Sequence, residues 1–128
     1  MTKRILVIDD ELDIREIVCL SIEAFSGWDA EGAASGGQGL EKAQQGHWDA
    51  ILLDISMPDM DGVEVFERLQ QTPQTQPIPV ILLTAKVLPS DRDRFAKLGV
   101  AGVITKPFDP VNIGRQMAEL LTWPSPSR

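Results

Sequence analysis

Short runs of apolar residues recur along the chain at regular intervals, and they predict a set of buried β-strands. The runs lie at 5–8, 51–53, 80–83 and 102–104, with a weaker candidate at 28–33. They are continuous rather than alternating and rich in β-branched residues, as strands are when helices cover both faces of a sheet. The pattern therefore predicts a parallel sheet enclosed between two layers of helices.

The segments between these runs show the three- and four-residue spacing of amphipathic helices. The helices are predicted over 12–25, 36–46, 62–71, 90–98 and 110–122. Ser35 is predicted to be the N-cap of the second helix, and Asp109 with Pro110 is predicted to open the last. Strand and helix alternate five times, which favours a doubly wound α/β fold. The predicted buried positions of the first and last helices are Ile14, Ile17, Val18, Ile22, Phe25, Ile113, Met117, Leu120 and Leu121.

Length and composition are those of one ordinary globular domain. The chain has 128 residues, predicted to form a single domain over 1–122 and a disordered tail or the start of a linker over 123–128. The net charge of −7 without clustered Lys or Arg argues against direct binding of nucleic acid or of an anionic membrane. A single cysteine, Cys19, excludes a disulfide framework. With no apolar stretch long enough for a membrane span or a signal peptide, the expected location is the cytoplasm.

Polar residues that carry chemistry follow four of the predicted strands. Asp9 and Asp10 come directly after the first strand, and Asp54 ends the third. Thr84 ends the fourth strand, and Lys106 follows the fifth. The carboxyl ends of parallel strands meet at one edge of the sheet, so these side chains are expected to lie together there. Each alone has an ordinary structural explanation, as a helix cap, a turn residue or a solvated lysine.

Carboxylates gathered at one edge repel each other and favour a bound cation. Two of them about 5 Å apart repel by roughly 3 kcal/mol at an effective dielectric constant near 20. Carboxylates, a backbone carbonyl and waters suit Mg²⁺, for which Mn²⁺ is expected to substitute. The predicted metal ligands are Asp9, Asp10, Asp54 and the backbone carbonyl of Ser56.

The same residues predict a phosphoryl-transfer site. Asp54 can act as a carboxylate nucleophile and form an aspartyl phosphate. The hydroxyl of Thr84 and the ammonium of Lys106 can each neutralise or hydrogen-bond a phosphoryl oxygen. The pair Lys106–Pro107 also suggests a cis peptide bond.

Taken in order, these motifs resemble the receiver domains of two-component response regulators, over about 3–121. The resemblance implies a flavodoxin-like sheet in the order 2-1-3-4-5 with five helices on both faces. It implies Asp54 as the phosphoacceptor, Asp9 and Asp10 as metal ligands, and Thr84 and Lys106 as switch residues. The matching motifs are Asp9-Asp10, Asp54 with Met57-Pro58, Asp61-Gly62, Thr84-Ala85 and Lys106-Pro107-Phe108.

The resemblance also implies partners. In the family, a histidine kinase or phosphotransfer protein donates the phosphoryl group, and Mg²⁺ is required. A downstream effector protein or domain would engage the face formed by the fourth helix, fifth strand and fifth helix. A phosphorylation-dependent homodimer is left open. Such a chain is a signalling switch and no metabolic enzyme, with only self-phosphorylation and self-dephosphorylation activity.

The sequence departs from the family pattern in the fifth strand. Val103 stands where the family usually has Tyr or Phe, three residues before the lysine. A valine has a single χ angle and little surface to swing, so the usual coupling from Thr84 to an aromatic ring is in doubt. Movement of Thr84 is instead expected to be transmitted through the backbone of 85–90. Ser56 and Lys86, two residues after Asp54 and Thr84, are expected to tune hydrolysis of the phosphoryl group.

Two other functions fit part of the pattern. A small phosphohydrolase with an aspartyl-phosphate intermediate, similar to the haloacid dehalogenases, also places an Asp at a strand end. Such enzymes need a second Asp two residues later, where this chain has Ser56. A receiver-like binding module that is never phosphorylated is the other alternative, and the complete acidic set argues against it.

Overall fold

A computed structural model of the chain describes residues 2–55, 62–85, 89–124 and 126, apart from the side chains of 91 and 92. The strands are β1 (Arg4–Ile8), β2 (Asp29–Ala33), β3 (Ala50–Asp54), β4 (Val80–Thr84) and β5 (Gly102–Thr105). The helices are α1 (Leu12–Ser21), α2 (Gly36–Gln45), α3 (Gly62–Gln71), α4 (Pro89–Leu98) and α5 (Ile113–Leu121). A π-helical turn, Ile22–Ser26, continues α1.

The five strands form one parallel sheet in the order β2-β1-β3-β4-β5. This confirms the predicted doubly wound α/β fold and its strand order. The direction in which strands are added reverses between β1 and β3, which is where ligands bind in open parallel sheets. The carboxyl ends of β1 and β3 therefore lie side by side at this switch point.

Alternate residues of each strand face two separate hydrophobic cores. In β1, Leu6 and Ile8 pack into the core beneath α2, α3 and α4, whereas Ile5 and Val7 pack beneath α1 and α5. All four side chains are essentially inaccessible to solvent. Burial on both faces explains why the strands read as continuous apolar runs.

The helix ends differ in how well the sequence predicted them. Ser35 caps α2 as expected, since its Oγ accepts a hydrogen bond from the Gln38 amide at 3.1 Å. The last helix was predicted to begin at 110, but α5 begins at Ile113. Residues 110–112 form a turn, because the Asp109 carboxylate accepts hydrogen bonds from the Val111 amide and the Asn112 side chain.

Some predicted core positions are exposed, and one predicted tail residue is packed. Ile17, Phe25 and Leu120 retain 44%, 41% and 38% of their accessible surface, so their prediction as buried positions was wrong. For Phe25 the reason is the π-helical turn, which adds a residue per turn and rotates later positions off the helical face. Trp123 packs edge-to-face on Trp28, with ring centroids 5.4 Å apart.

Within the part of the chain that the structure describes, every helix is too short or too polar to cross a membrane.

Candidate functional site

Asp9 and Asp54 are brought together by the two strands that flank the switch point. Asp9 follows β1 and Asp54 ends β3, and these strands pair in register from Ile5 with Ala50 to Ile8 with Leu53. Both residues are buried, with 0% and 2% of their surface accessible. Because these two carboxylates follow buried strands, they are themselves buried. A buried negative charge raises the free energy of the folded protein unless another charge balances it.

Lys106 supplies a positive charge between these carboxylates. Its Nζ lies 3.5 Å from Asp9 Oδ2 and 3.7 Å from Asp54 Oδ1. It also lies 3.6 Å from Glu11 Oε1. The Lys106–Pro107 peptide bond is cis, as the sequence suggested. One ammonium thus faces three carboxylates at distances longer than a strong hydrogen bond, which leaves the cluster with a surplus of negative charge.

The electrostatics of the cluster appear in two pKa shifts. Burial raises the pKa of Asp9 from 3.8 to about 6; Asp54 adds to this rise, and the Glu11 amide hydrogen bond and Lys106 oppose it. Burial lowers the pKa of Lys106, but the carboxylates of Asp9, Asp54 and Glu11 outweigh it, and the net pKa lies above the usual value. The protein therefore keeps the lysine charged, and Asp9, although mostly ionised at neutral pH, takes up a proton at a higher pH than an ordinary aspartate does.

Thr84 lies at the same edge, at the end of β4. It is 1% exposed, and its backbone carbonyl accepts a hydrogen bond from the Lys106 amide at 2.8 Å. This bond continues the pairing of β4 with β5 beyond Thr105. The backbones of Thr84 and Lys106 are therefore linked directly at the strand ends.

The carboxylates form a candidate cation site that includes one residue, Glu11, that the sequence alone did not predict as a ligand. Ligand oxygens of Asp9, Glu11 and Asp54 lie within 4.8 Å of one another. Asp10 is not in that group, but its Oδ1 is buried and accepts no hydrogen bond from the described residues. A buried carboxylate oxygen without a donor is the kind of atom that a hard cation stabilises, so the residues present fit Mg²⁺. The signal for Glu11 was the unbroken acidic run 9–11 after β1.

Several predicted features lie outside the described residues. They are the backbone carbonyl of Ser56, the motif residues Met57, Pro58 and Asp61, and Lys86. The structure thus brings together Asp9, Asp54, Lys106 and Thr84, with Asp10 beside them.

The chain matches one protein family model, the response regulator receiver domain, over residues 5–118. Among curated relatives, it is 36% identical over 121 residues to the alkaline phosphatase synthesis transcriptional regulatory protein PhoP of Bacillus subtilis, covering 94% of this chain and 49% of PhoP. It is 33% identical over 126 residues to the phosphate regulon transcriptional regulatory protein PhoB of Escherichia coli, covering 98% of this chain and 55% of PhoB. The chain therefore spans about half the length of the curated relatives it matches.

Solved structures agree with this match. The chemotaxis response regulator CheY4 of Vibrio cholerae superimposes with a TM-score of 0.86 at 28% identity, covering 94% of this chain and 99% of that structure.

Proposed function

The chain belongs to the response regulator receiver domain family, and we propose that Asp54 is its phosphoacceptor. The observation that carries this proposal is the position of the Asp54 carboxylate, buried at the switch point 3.7 Å from the Lys106 ammonium. A carboxylate held beside a fixed cation can attack phosphorus while the charge on the phosphoryl oxygens is balanced.

The proposed step is a simple transfer. An Asp54 carboxylate oxygen forms a bond to the phosphorus of a phosphohistidine, and the phosphorus–nitrogen bond of the donor breaks. The donor imidazole leaves with the electron pair. Lys106 balances one phosphoryl oxygen, and the Thr84 hydroxyl donates a hydrogen bond to another once the group has arrived.

Mg²⁺ is the proposed cofactor, with Mn²⁺ as a substitute. Asp9, Asp10 and Asp54 would hold it together with the backbone carbonyl of Ser56, and Glu11 lies close enough to contribute. When bound, the ion neutralises the acidic cluster and the charge of the incoming phosphoryl group. This role accounts for the surplus of negative charge that Lys106 alone leaves.

The phosphodonor is proposed to be a histidine kinase or phosphotransfer protein, and the output partner an effector protein or domain that engages α4, β5 and α5. The protein would serve as a cytoplasmic switch, with no activity beyond its own phosphorylation and dephosphorylation. PhoP and PhoB are transcriptional regulatory proteins. A DNA-binding output elsewhere in a longer protein would agree with the acidic charge of this chain, which itself disfavours DNA.

Intact mass spectrometry after incubation with acetyl phosphate tests the assignment. With Mg²⁺, the protein should gain the mass of one phosphoryl group, and the adduct should be lost in hydroxylamine. Removing Mg²⁺ with EDTA should abolish the adduct. Asp54→Ala should also abolish it, whereas the matched control Asp13→Ala, at an exposed carboxylate of α1 outside the cluster, should leave it intact.

The outcomes separate the alternatives. An adduct that persists in Asp54→Ala would overturn Asp54 as the acceptor. No adduct in the unmodified protein would favour a binding module that is never phosphorylated. Sustained turnover of p-nitrophenyl phosphate would favour a phosphohydrolase.

A further inference from the structure

Asp9 is held in place by hydrogen bonds to both its backbone and its side chain. Its amide donates to the Ala33 carbonyl of β2 at 3.1 Å, and its Oδ1 accepts from the Glu11 amide at 2.9 Å. Its carbonyl accepts a hydrogen bond from Nη1 of Arg15 at 2.9 Å. That carbonyl belongs to the peptide unit that joins Asp9 to Asp10. The Arg15 hydrogen bond therefore fixes the orientation of this peptide plane, and with it the direction in which the Asp10 side chain leaves the backbone.

Arg15 reaches this carbonyl because β2 leaves room for its side chain. Arg15 is the fourth residue of α1, and its aliphatic stem lies over Gly32. A Cβ at position 32 would stand 2.8 Å from both Cγ and Cδ of Arg15. These atoms are in the middle of the side chain, so a methyl group there would force the whole arginine to move.

A second contact holds β2 in place at the same point. Lys42 of α2 donates from Nζ to the Gly32 carbonyl at 2.8 Å and pairs with Glu31 at 3.4 Å. Gly32 is thus fixed through its backbone while the space above it holds Arg15. The Arg15 side chain therefore lies between Gly32 of β2 and the backbone of Asp9.

We infer that Arg15 is a positioning residue for the metal site, acting through the Asp9 carbonyl to hold Asp10 toward the cation. The inference rests on the proposed function, since it presumes that the acidic cluster binds Mg²⁺. Mg²⁺ demands near-octahedral geometry, and a ligand free to rotate binds it poorly. The buried Oδ1 of Asp10, which has no hydrogen-bond donor among the described residues, is the atom whose direction this contact sets. Residues behind the ligands of a metal site commonly contribute 10- to 100-fold in affinity.

Isothermal titration of the full chain with MgCl₂ tests the inference. Arg15→Met keeps the aliphatic stem and removes the donor, and it should raise the Mg²⁺ dissociation constant about tenfold. Arg15→Lys retains one donor and should recover part of this loss. Arg115→Met, at an exposed arginine of α5, is the matched control and should bind Mg²⁺ as the unmodified protein does.

Acetyl phosphate labelling gives a second readout. For Arg15→Met, the Mg²⁺ concentration that gives half-maximal labelling should rise by the same factor, while the rate at saturating Mg²⁺ stays close to that of the unmodified protein. A purely structural role would lower the unfolding midpoint and leave the Mg²⁺ dependence unchanged, which would overturn the inference.

Gly32→Ala provides an independent test that leaves the arginine in the sequence. It should displace Arg15 and weaken Mg²⁺ binding, and Arg15→Met with Gly32→Ala together should be no worse than the stronger single change. Full additivity of the two effects would overturn the inference, because the changes would then act through separate contacts. If Arg15→Met fails to fold, Gly32→Ala decides alone, and an unaltered dissociation constant would refute the role of Arg15.

The result also separates this inference from the proposed function. If the unmodified protein binds no Mg²⁺, both fail. If it binds Mg²⁺ and is phosphorylated on Asp54, but the Arg15 and Gly32 variants bind equally well, only the inference fails.

Discussion

Lys106 Nζ lies 3.7 Å from Asp54 Oδ1, so the ammonium stands beside the carboxylate that is proposed to accept the phosphoryl group. The same nitrogen faces Asp9 and Glu11 at 3.5 and 3.6 Å. The Lys106 ammonium therefore neutralises part of the negative charge of the same carboxylates that a divalent cation would neutralise. The lysine and the metal are expected to compete electrostatically for the cluster while cooperating on a bound phosphoryl group.

Lys106→Met should bind Mg²⁺ more tightly and accept phosphate more slowly. Loss of the ammonium leaves the acidic cluster unbalanced, so Mg²⁺ affinity should rise roughly tenfold, the equivalent of about 1.4 kcal/mol. The labelling rate with acetyl phosphate at saturating Mg²⁺ should fall, because one balancing charge is missing. Calorimetry and mass spectrometry measure the two effects, with Lys97→Met on α4 as control. Weaker Mg²⁺ binding in Lys106→Met would contradict the competition.

The raised pKa of Asp9 predicts how stability depends on pH without metal. The pKa is about 6 in the folded protein against an ordinary 3.8, so between these values the folded state binds more protons than the unfolded state. Stability contributed by Asp9 is therefore greatest at acid pH and falls as pH rises toward the folded pKa. At neutral pH the ionised carboxylate should cost roughly 3 kcal/mol relative to the unfolded chain.

Urea unfolding of Asp9→Asn against the unmodified protein isolates this effect from other titrating groups. Without Mg²⁺, the variant should be the more stable at pH 7.5, and the advantage should shrink toward about pH 4. Excess Mg²⁺ should stabilise the unmodified protein at pH 7.5 and leave the variant nearly unchanged. Asp13→Asn, at an exposed acid of α1, should show neither trend. An advantage that grows toward acid pH would show that the pKa of Asp9 is not raised.

The residues that end strands could be predicted from the sequence because their placement follows from one rule. A continuous apolar run predicts a strand buried on both faces, and parallel strands put their carboxyl ends at one edge. Asp9, Asp54, Thr84 and Lys106 all lie at that edge. Nothing about the detailed path of the backbone was needed to expect this.

Contacts across elements could not be predicted, since they depend on side-chain directions that no local pattern records. The Arg15 hydrogen bond to the Asp9 carbonyl requires the space above Gly32, which lies 17 residues away in another element. The exposure of Phe25 likewise follows from a π-helical turn, and 3.6-residue periodicity assumes that such a turn is absent. The late start of α5 depends on bonds made by one side chain, that of Asp109.

Gly62 packs directly against the backbone that carries the proposed acceptor. A Cβ at this position would collide with Ile55 Cα and stand 2.7 Å from the Asp54 carbonyl oxygen. Backbone atoms cannot move aside as a side-chain end can, so Gly62→Ala should destabilise the protein by about 2 kcal/mol. Because the displaced segment includes Asp54, labelling by acetyl phosphate should also slow.

Gly37→Ala is the matched control, since nothing lies within 4 Å of a Cβ there. Gly37 is in the first turn of α2, and alanine should stabilise the helix by about 0.5 kcal/mol. Urea unfolding should thus give opposite signs of stability change for the two glycine-to-alanine substitutions, and mass spectrometry should show slower labelling for Gly62→Ala alone. Equal stability of Gly62→Ala and the unmodified protein would show that α3 can shift away from β3 without cost.

Trp123 should contribute to stability although the sequence pattern assigns it to the tail. Its ring meets Trp28 edge-to-face with centroids 5.4 Å apart, Lys3 Nζ lies 4.5 Å from its centroid, and its amide donates to the Ala118 carbonyl at 2.8 Å. Aromatic pairing and the buried area together should make Trp123→Ala about 2 kcal/mol less stable in urea unfolding. Pro124→Ala, at the exposed next residue, should change stability by less than about 0.5 kcal/mol. If Trp123→Ala were as stable as that control, the domain would end at 122 as the sequence predicts. If Trp123→Ala is less stable and Trp123→Phe has an intermediate stability, the folded unit extends to the tryptophan, because the smaller ring keeps part of the contact with Trp28.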